Sequence, residues 1–256
     1  MTAILCMLGI IGTFDPKRDV AFTPPTSFFP GEKLTFSLMW SNFPAGEAKL
    51  EVLPIETVNG EQALHFVMTA RTNSFADAFY KVRNRIDAYT DVRMTRSLLY
   101  RSKQREGGYR RDSLIEFDWQ KQEARYSKSG KPKQPISISL GTLDPLSALY
   151  YVRLNELREG AVISRPVTDG SKHVTGTLRV IKKETITVAA GTFETYKVQP
   201  ETRDIGGVFK QSKHSKLYVW LTADDRKMPV KVKSKVAVGS FVGELVSVEG
   251  ILSTNK

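Results

Sequence analysis

Two adjacent aspartates, Asp224 and Asp225, stand in "YVWLTADDRKMPVKVKSK" (218–235) and are the first residues whose type and spacing suggest chemistry. A carboxylate pair can work as general acid and base, or ligate a hard cation. Glycoside hydrolysis sets its two carboxylates on opposite sides of the scissile bond, beyond the reach of neighbours on one tight loop. Calcium asks for a denser set of oxygens than "TADDRK" supplies. Both flanks of the pair read as strands. In "KLYVWL", Leu217, Val219 and Leu221 alternate with Tyr218 and Trp220; in "MPVKVKSKVAV", Val230, Val232, Val236 and Val238 alternate with lysines. The aspartates sit where the chain must reverse, and aspartate stabilises such corners by bonding nearby backbone amides. They are predicted to be a hairpin corner.

Other chemical templates are weaker still. His65, His173 and His214 are the only histidines, and none has the paired spacing of a zinc helix. No G-x-S-x-G elbow and no phosphate-cradling G-x-x-x-x-G-K occurs. His65 falls opposite the apolar face of its strand and is expected to be exposed. Cys6 is the lone cysteine, which excludes an internal disulfide framework and a zinc site built on several thiolates. The expectation is therefore no catalytic residue, no metal and no cofactor, with a hydrolase of unassigned type as the third reading of function.

Charge points outward instead. Net charge is +11, and between residues 93 and 133 twelve basic side chains face five acidic ones. Lys231, Lys233 and Lys235 share one strand face by period two and are the candidate anionic-surface site. Such patches attract lipid head groups, acidic polymers or nucleic acid, against the alternative of a solvated face that keeps the protein soluble. Tyr100, Tyr109, Phe117, Trp119 and Tyr126 interleave with the basic residues, as in single-strand binders. No nucleic-acid motif accompanies them, so no specific nucleic-acid partner is expected.

The elements that must position these residues are mostly strands. In "KLTFSLMWS" (33–41), Leu34, Phe36, Leu38 and Trp40 fall on one face. After a loop "NFPAG", "EAKLEV" resumes the alternation and closes a hairpin. "NG" (59–60) turns the chain into "ALHFVMTAR", with Leu64, Phe66 and Met68 inward. "VRNRIDAYTD", "SLLYRSKQRE", "RRDSLIEFDW", "EARYSKS", "TGTLRVIKKETITV", "FETYKVQPE" and "FVGELVSVEG" follow the same grammar. One segment, "TLDPLSALYYVRLNELREG" (142–160), predicts an amphipathic helix running from an Asp144 cap and Pro145 to Gly160. A short helical turn is expected in "SFADAFYKV" (74–82). No apolar run reaches the roughly 18 residues of a membrane span. The apolar "TAILCMLGIIGTF" (2–14), without a basic start, reads as a remnant of a signal peptide, with "DPKRDVAFTPPTSFFPGE" as a linker.

Three ordered stretches carry a resemblance: "FFPGEKLTFSLMWSNFPAGEAKLEV", "LDPLSALYYVR" and "LYVWLTADDRKMPVKVKSKVAVGSFVGEL". Together they resemble the bacterial envelope family called domain of unknown function 3108, from Phe29 to Gly250. The resemblance implies an exported protein of the periplasm or cell envelope and brings no catalytic residues. Its general shape is similar, by fold analogy alone, to periplasmic carriers of the LolA/LolB kind.

The expected fold is mainly β: a large curved antiparallel sheet or incomplete β-barrel with one amphipathic helix packed against it. Residues 1–28 are read as signal remnant or linker and 29–252 as one domain. The expected function is a non-catalytic envelope protein that binds an apolar or amphipathic ligand such as lipid in the sheet's hollow. Leu34, Phe36, Leu38 and Trp40 are the candidate wall, against an ordinary core role for each. The alternative is a scaffolding protein that binds an anionic polymer, a protein or a membrane surface through its basic face.

Overall fold

The computed structural model describes residues 27–41, 43–201, 217–235 and 240–250. In chain order its elements are β1 (Lys33–Trp40), β2 (Phe43–Val58), β3 (Glu61–Thr72), α1 (Ser74–Asp77), β4 (Arg83–Asp91), β5 (Ser97–Glu106), β6 (Tyr109–Asp118), β7 (Glu123–Lys128), β8 (Lys131–Pro132) and β9 (Ile136–Ser137). Then come α2 (Pro145–Val152), β10 (Val162–Thr168), β11 (His173–Val188), β12 (Gly191–Pro200), β13 (Leu217–Thr222), β14 (Pro229–Lys235) and β15 (Ser240–Glu249). The apolar run 2–14, Cys6, His214, Val236 and Val238 lie outside the described residues.

All strands join one antiparallel sheet in the order β10–β11–β12–β13–β14–β15–β1–β2–β3–β4–β5–β6–β7–β8, with β9 on β7. It is a meander with one departure: β15 pairs with β1 along its length, from Lys33 opposite Glu249 to Trp40 opposite Phe241. Among the described residues the sheet is not closed. Residues 142–143 act as a strut across the gap: Ser97 N donates to Thr142 O at 3.1 Å, and Leu143 exchanges backbone bonds with Pro166 and Thr168. β10 is thus an edge strand, where Pro166 does little harm.

Period two sorts the strands as expected. Leu34, Phe36, Leu50, Leu64, Phe66, Ile86, Ile115 and Leu245 enter one apolar core. Phe28 and Tyr150 plug it from inside the curve. The Tyr150 ring stacks on Phe66 at 4.0 Å between centroids, and Phe28 meets both edge-on. Such contacts are worth about 1 kcal/mol each beyond the area they bury. Asn59 and Gly60 both take positive φ, as the favoured hairpin turn requires.

Two expectations need correction. "FPAG" (43–46) is not a loop: Trp40 pairs with Phe43 and Met39 with Pro44, and β2 continues to Gly46 opposite Leu38 across a bulge at Ala45. The helix is also shorter than the period from Leu146 to Leu157 implies, because it ends at Val152. Beyond it, Arg153 turns into the core and Asn155 Nδ2 donates to Tyr151 O. Leu157 joins a second cluster with Val152, Leu178, Val180, Val198, Val219 and Leu221. Past Val152 the apolar residues divide, Leu154 packing on the first cluster and Leu157 entering the second, so one continuous helical stripe is not needed there.

The start of α2 is as expected and deeply buried. Asp144 Oδ1 accepts from Leu146 N and Ser147 N at 3.0 and 2.9 Å, while Oδ2 accepts from Ser97 and Ser147 hydroxyls, both at 2.6 Å. Burial nonetheless pushes the Asp144 pKa upward, against those bonds. Arg153, just past the helix, forks onto Glu32: Nη1 to Oε1 is 2.6 Å and Nη2 to Oε2 is 2.8 Å. Its remaining donors reach Ser27 O and Arg226 O. Both side chains are almost wholly enclosed, at 1% and 3% exposure.

Candidate functional site

The paired aspartates are a corner. Asp224 accepts from the Thr222 hydroxyl at 2.5 Å, from Arg226 Nη2 at 2.9 Å and from Lys227 N at 3.3 Å, while Thr222 Oγ1 accepts from Met228 N. Burial raises the Asp224 pKa, but the bonds from Thr222 and Arg226 outweigh it and hold the carboxyl below its usual range. Asp225 is exposed. Among the described residues no group of His, Cys, Asp and Glu has the geometry to hold a metal ion.

His65 is not exposed, contrary to its expected place. It is 4% exposed, stacked on Tyr89 at 4.1 Å. Nδ1 lies 2.7 Å from Glu56 and Nε2 3.1 Å from Asp87, which Arg85 also grips. The alternation did place His65 on the outer face. What it missed is that Tyr89, its register partner on β4, covers the imidazole there. Carboxylates occupy both ring nitrogens, so this histidine presents none to a nucleophile. His173 is half-buried and contacts the hydroxyls of Thr142 (3.0 Å) and Ser139 (3.4 Å), tying β11 to the strut; burial lowers its pKa.

The candidate wall divides along β1. Leu34 and Phe36 are core, covered by Phe28, Tyr150 and their neighbours. Leu38 is half-buried and Trp40 is 48% exposed, so the strand climbs from a filled base to an open upper end. Leu38 faces Gly46 on β2 and Gly243 on β15, neither of which offers a side chain beside it. Gly46 has no choice, since a Cβ there would lie 2.0 Å from Arg71 O. Gly243 has ordinary φ, and its Cβ would meet only the flexible end of Leu38 at 3.3 Å. Half-buried Ala48, Met68 and Ala70 continue this apolar dip onto β2 and β3.

Further round the sheet the same face becomes polar. Asn84, Ser102, Gln104, Arg111 and Ser113 occupy the inward positions of β4–β6 above Ile86, Tyr100 and Ile115. Arg111 is half-buried; it donates from Nη2 to the Tyr126 hydroxyl and from Nε to Ser113 Oγ at 3.1 Å. Among the described residues it has no carboxylate partner. The upper inner face therefore pairs an apolar half with a polar half that carries one guanidinium. Nothing in the charge count singled out Arg111; its face follows only from extending period two backward from Ile115 through Ser113.

The lysine stripe is not three equivalent cations. Lys231 Nζ lies 2.6 Å from Glu244 and near the Trp220 ring. Lys233 is exposed, and the Lys235 side chain lies outside the described residues. A depression of about 320 Å³ on β3–β5 is lined by Thr69, Arg71, Arg83, Arg85, Lys103 and Arg105. Its four arginines are paired with Glu47, Asp77, Asp87 and Asp112.

Comparison with known proteins agrees with this architecture. The model of the family "Protein of unknown function (DUF3108)" matches residues 35–246. No curated protein matches the chain significantly. Among solved structures, a β-barrel-like protein of domain of unknown function DUF1849 from Brucella abortus superposes with a TM-score of 0.57 at 10% identity. It covers 88% of this chain and 99% of its own. A provisionally assigned lipoprotein from Parabacteroides distasonis (TM-score 0.34, 14% identity, 89% and 97% covered) is more remote. So is a provisionally assigned exported protein with a YmcC-like fold from Bacteroides fragilis (TM-score 0.32, 10% identity, 87% and 99% covered). The Brucella structure supports the fold alone; the other two carry no argument.

Proposed function

We propose a function on one premise: the chain belongs to the family described as Protein of unknown function (DUF3108), whose model spans most of it. On this reading it is a non-catalytic protein of the bacterial periplasm or cell envelope that holds an amphipathic molecule, such as a lipid with an anionic head, at the upper inner face of its sheet. The observation that supports it is the dip beside Leu38, left by Gly46 and Gly243, on the same face as the carboxylate-free Arg111. Apolar walls with a few converging polar groups are what small amphipathic ligands use. The base of the hollow, at Leu34 and Phe36, is filled by the protein itself and takes no part. The basic-face alternative has less to draw on, because Lys231 is already paired with Glu244.

Protein purified from its native host is extracted and analysed for lipid by mass spectrometry, and a fluorescent fatty acid is titrated into the delipidated chain. Arg111→Ala is expected to weaken probe binding about tenfold or more, the scale of one charge-assisted hydrogen bond. Gly243→Phe, which fills the dip, abolishes it. Absence of both co-purified lipid and probe binding defeats the carrier reading. Fractionation of tagged protein in its host checks the envelope location.

A further inference from the structure

Seven aromatic side chains are exposed among the described residues, and all stand at the same end of the sheet. Trp40 and Phe43 close the β1–β2 hairpin, and Phe241 pairs with Trp40 from β15. Phe75, Phe79 and Tyr80 lie in and after α1, between β3 and β4; Tyr109 begins β6. Phe79 is the most exposed, at 77%.

These positions form one rim rather than scattered tips. Asn73 joins α1 to the β1–β2 hairpin, donating from N to Ala45 O at 3.0 Å and from Nδ2 to Pro44 O at 2.9 Å. Gly107 N donates to Lys81 O at 2.8 Å and joins α1's exit to the β5–β6 turn, with the Tyr80 ring against Gly107. Ser41 N donates to Ser240 O at 2.7 Å and joins β15. Strand ends with large exposed aromatics are costly to leave in water, and single exposed apolar residues elsewhere do not add up to such a patch.

Beside the rim Asp77 and Asp112 are paired with Arg83 and Arg105, and Glu106 accepts from Asn84 Nδ2, so the charges left without an ion-pair partner there among the described residues are mainly basic. Lys81, Arg110, Lys128 and Lys131 are exposed there or just below, and none forms an ion pair with a carboxylate among the described residues. A second copy of this rim would bring the same cations face to face, which disfavours a twofold contact. An anionic bilayer offers what both features need: an interfacial zone for aromatic rings and phosphates for the cations.

We infer that this rim is a docking surface for an anionic phospholipid bilayer, with the aromatic rings entering the head-group region and Lys81 and Arg110 meeting phosphates. It lies at the mouth of the apolar dip, yet the inference stands whether or not that dip holds a ligand. Binding of this interfacial kind grows with buried apolar area and with charge attraction.

The full chain is sedimented with vesicles of phosphatidylcholine alone and of phosphatidylcholine with phosphatidylglycerol. Binding is expected on the anionic vesicles and much weaker on the neutral ones. Phe75→Ser with Phe79→Ser lowers the partition coefficient more than about tenfold on anionic vesicles. Lys81→Glu lowers it by about tenfold on anionic vesicles and leaves the neutral ones unchanged. All three substitutions are at exposed sites, and circular dichroism confirms that the variants are folded. Two results overturn the inference. One is binding unmoved by these variants, which places the contact elsewhere in the chain. The other is no vesicle binding, with or without a concentration-dependent dimer that Phe75→Ser/Phe79→Ser dissolves.

Discussion

Replacing Arg153 by methionine tests the internal framework most directly. The guanidinium makes two bonds to Glu32, one to Ser27 O and one to Arg226 O, and it lies over the rings of Phe28 and Tyr150. Methionine keeps much of the packing but strands the Glu32 carboxylate at 3% exposure. Breaking a buried pair by removing one partner costs about 3–5 kcal/mol. Against a total stability of about 5–15 kcal/mol, a loss near 4 is a large part of the whole. Replacing both partners, Glu32→Leu with Arg153→Met, removes the stranded charge. The double variant should therefore lose less than Arg153→Met alone, about 2 kcal/mol, mostly from the two carbonyls left without a donor. Urea unfolding followed by circular dichroism and by tryptophan fluorescence measures all corners of the cycle. Added salt should not close the gap, because the pair is shielded from solvent. If Arg153→Met costs under about 1 kcal/mol, or if the two substitutions are simply additive, the pair is not the buried lock described above.

Three further outcomes follow from named contacts. The Tyr150 hydroxyl is buried without a hydrogen-bond partner among the described residues, so Tyr150→Phe should be neutral or stabilising by up to about 1 kcal/mol in thermal unfolding; a clear loss contradicts that environment. Asp144→Ala removes the cap of α2 and the partner of two hydroxyls and should cost about 2–3 kcal/mol, whereas Asp144→Asn is milder. Because burial raises the Asp144 pKa above its ordinary 3.8, its favourable contribution is complete below that pH. It declines as pH rises through the folded value, so wild type should lose ground to Asp144→Asn as pH climbs out of the acid range; the opposite trend refutes it. Asp87 has the other sign: burial raises its pKa, but bonds from His65 and Arg85 bring it down to about 2. Its contribution is present above 3.8 and lost as pH falls towards 2, about 1 kcal/mol after allowance for solvent screening. Acid titration by circular dichroism should be shallower in this window for Asp87→Asn.

Much of the strand order is written in alternation, because a residue two places along must return to the same face. That rule delivered β3–β7 and the inward set Leu64, Phe66 and Met68 directly. It failed where something other than burial decides. The bulge at Ala45 continues a strand through residues that usually punctuate one, and β10 contains Pro166, a residue strands accept only at an edge. The helix was overextended because Leu154 and Leu157 keep helical spacing while serving other contacts. His65 shows the limit most clearly. Its face was legible, but the Tyr89 ring that covers it comes from another strand, and pairing register is not visible from one segment. The candidate site was half legible: Leu38 and Trp40 lie where the alternation puts them, whereas the two glycines beside Leu38 acquire meaning only from cross-strand register. The gathering of exposed aromatics at one end was likewise hidden, since it depends on which loops share an end of the sheet.

The pairing of β1 with β15 has a consequence for the order of assembly. The strands from β1 to β7 can each zip onto a sequence neighbour as they appear, at low loop-closure cost. The free side of β1 has to wait for a segment some two hundred residues later. Until then an eight-residue row of backbone donors and acceptors stands unpaired beside a greasy inner surface, open to any passing strand. A chain stopped before Ser240 should for this reason clump rather than merely soften. The same adjacency offers an engineer a handle, since joining the two partners through a short linker and reopening the chain at an outer hairpin would turn the slowest contact into the most local one.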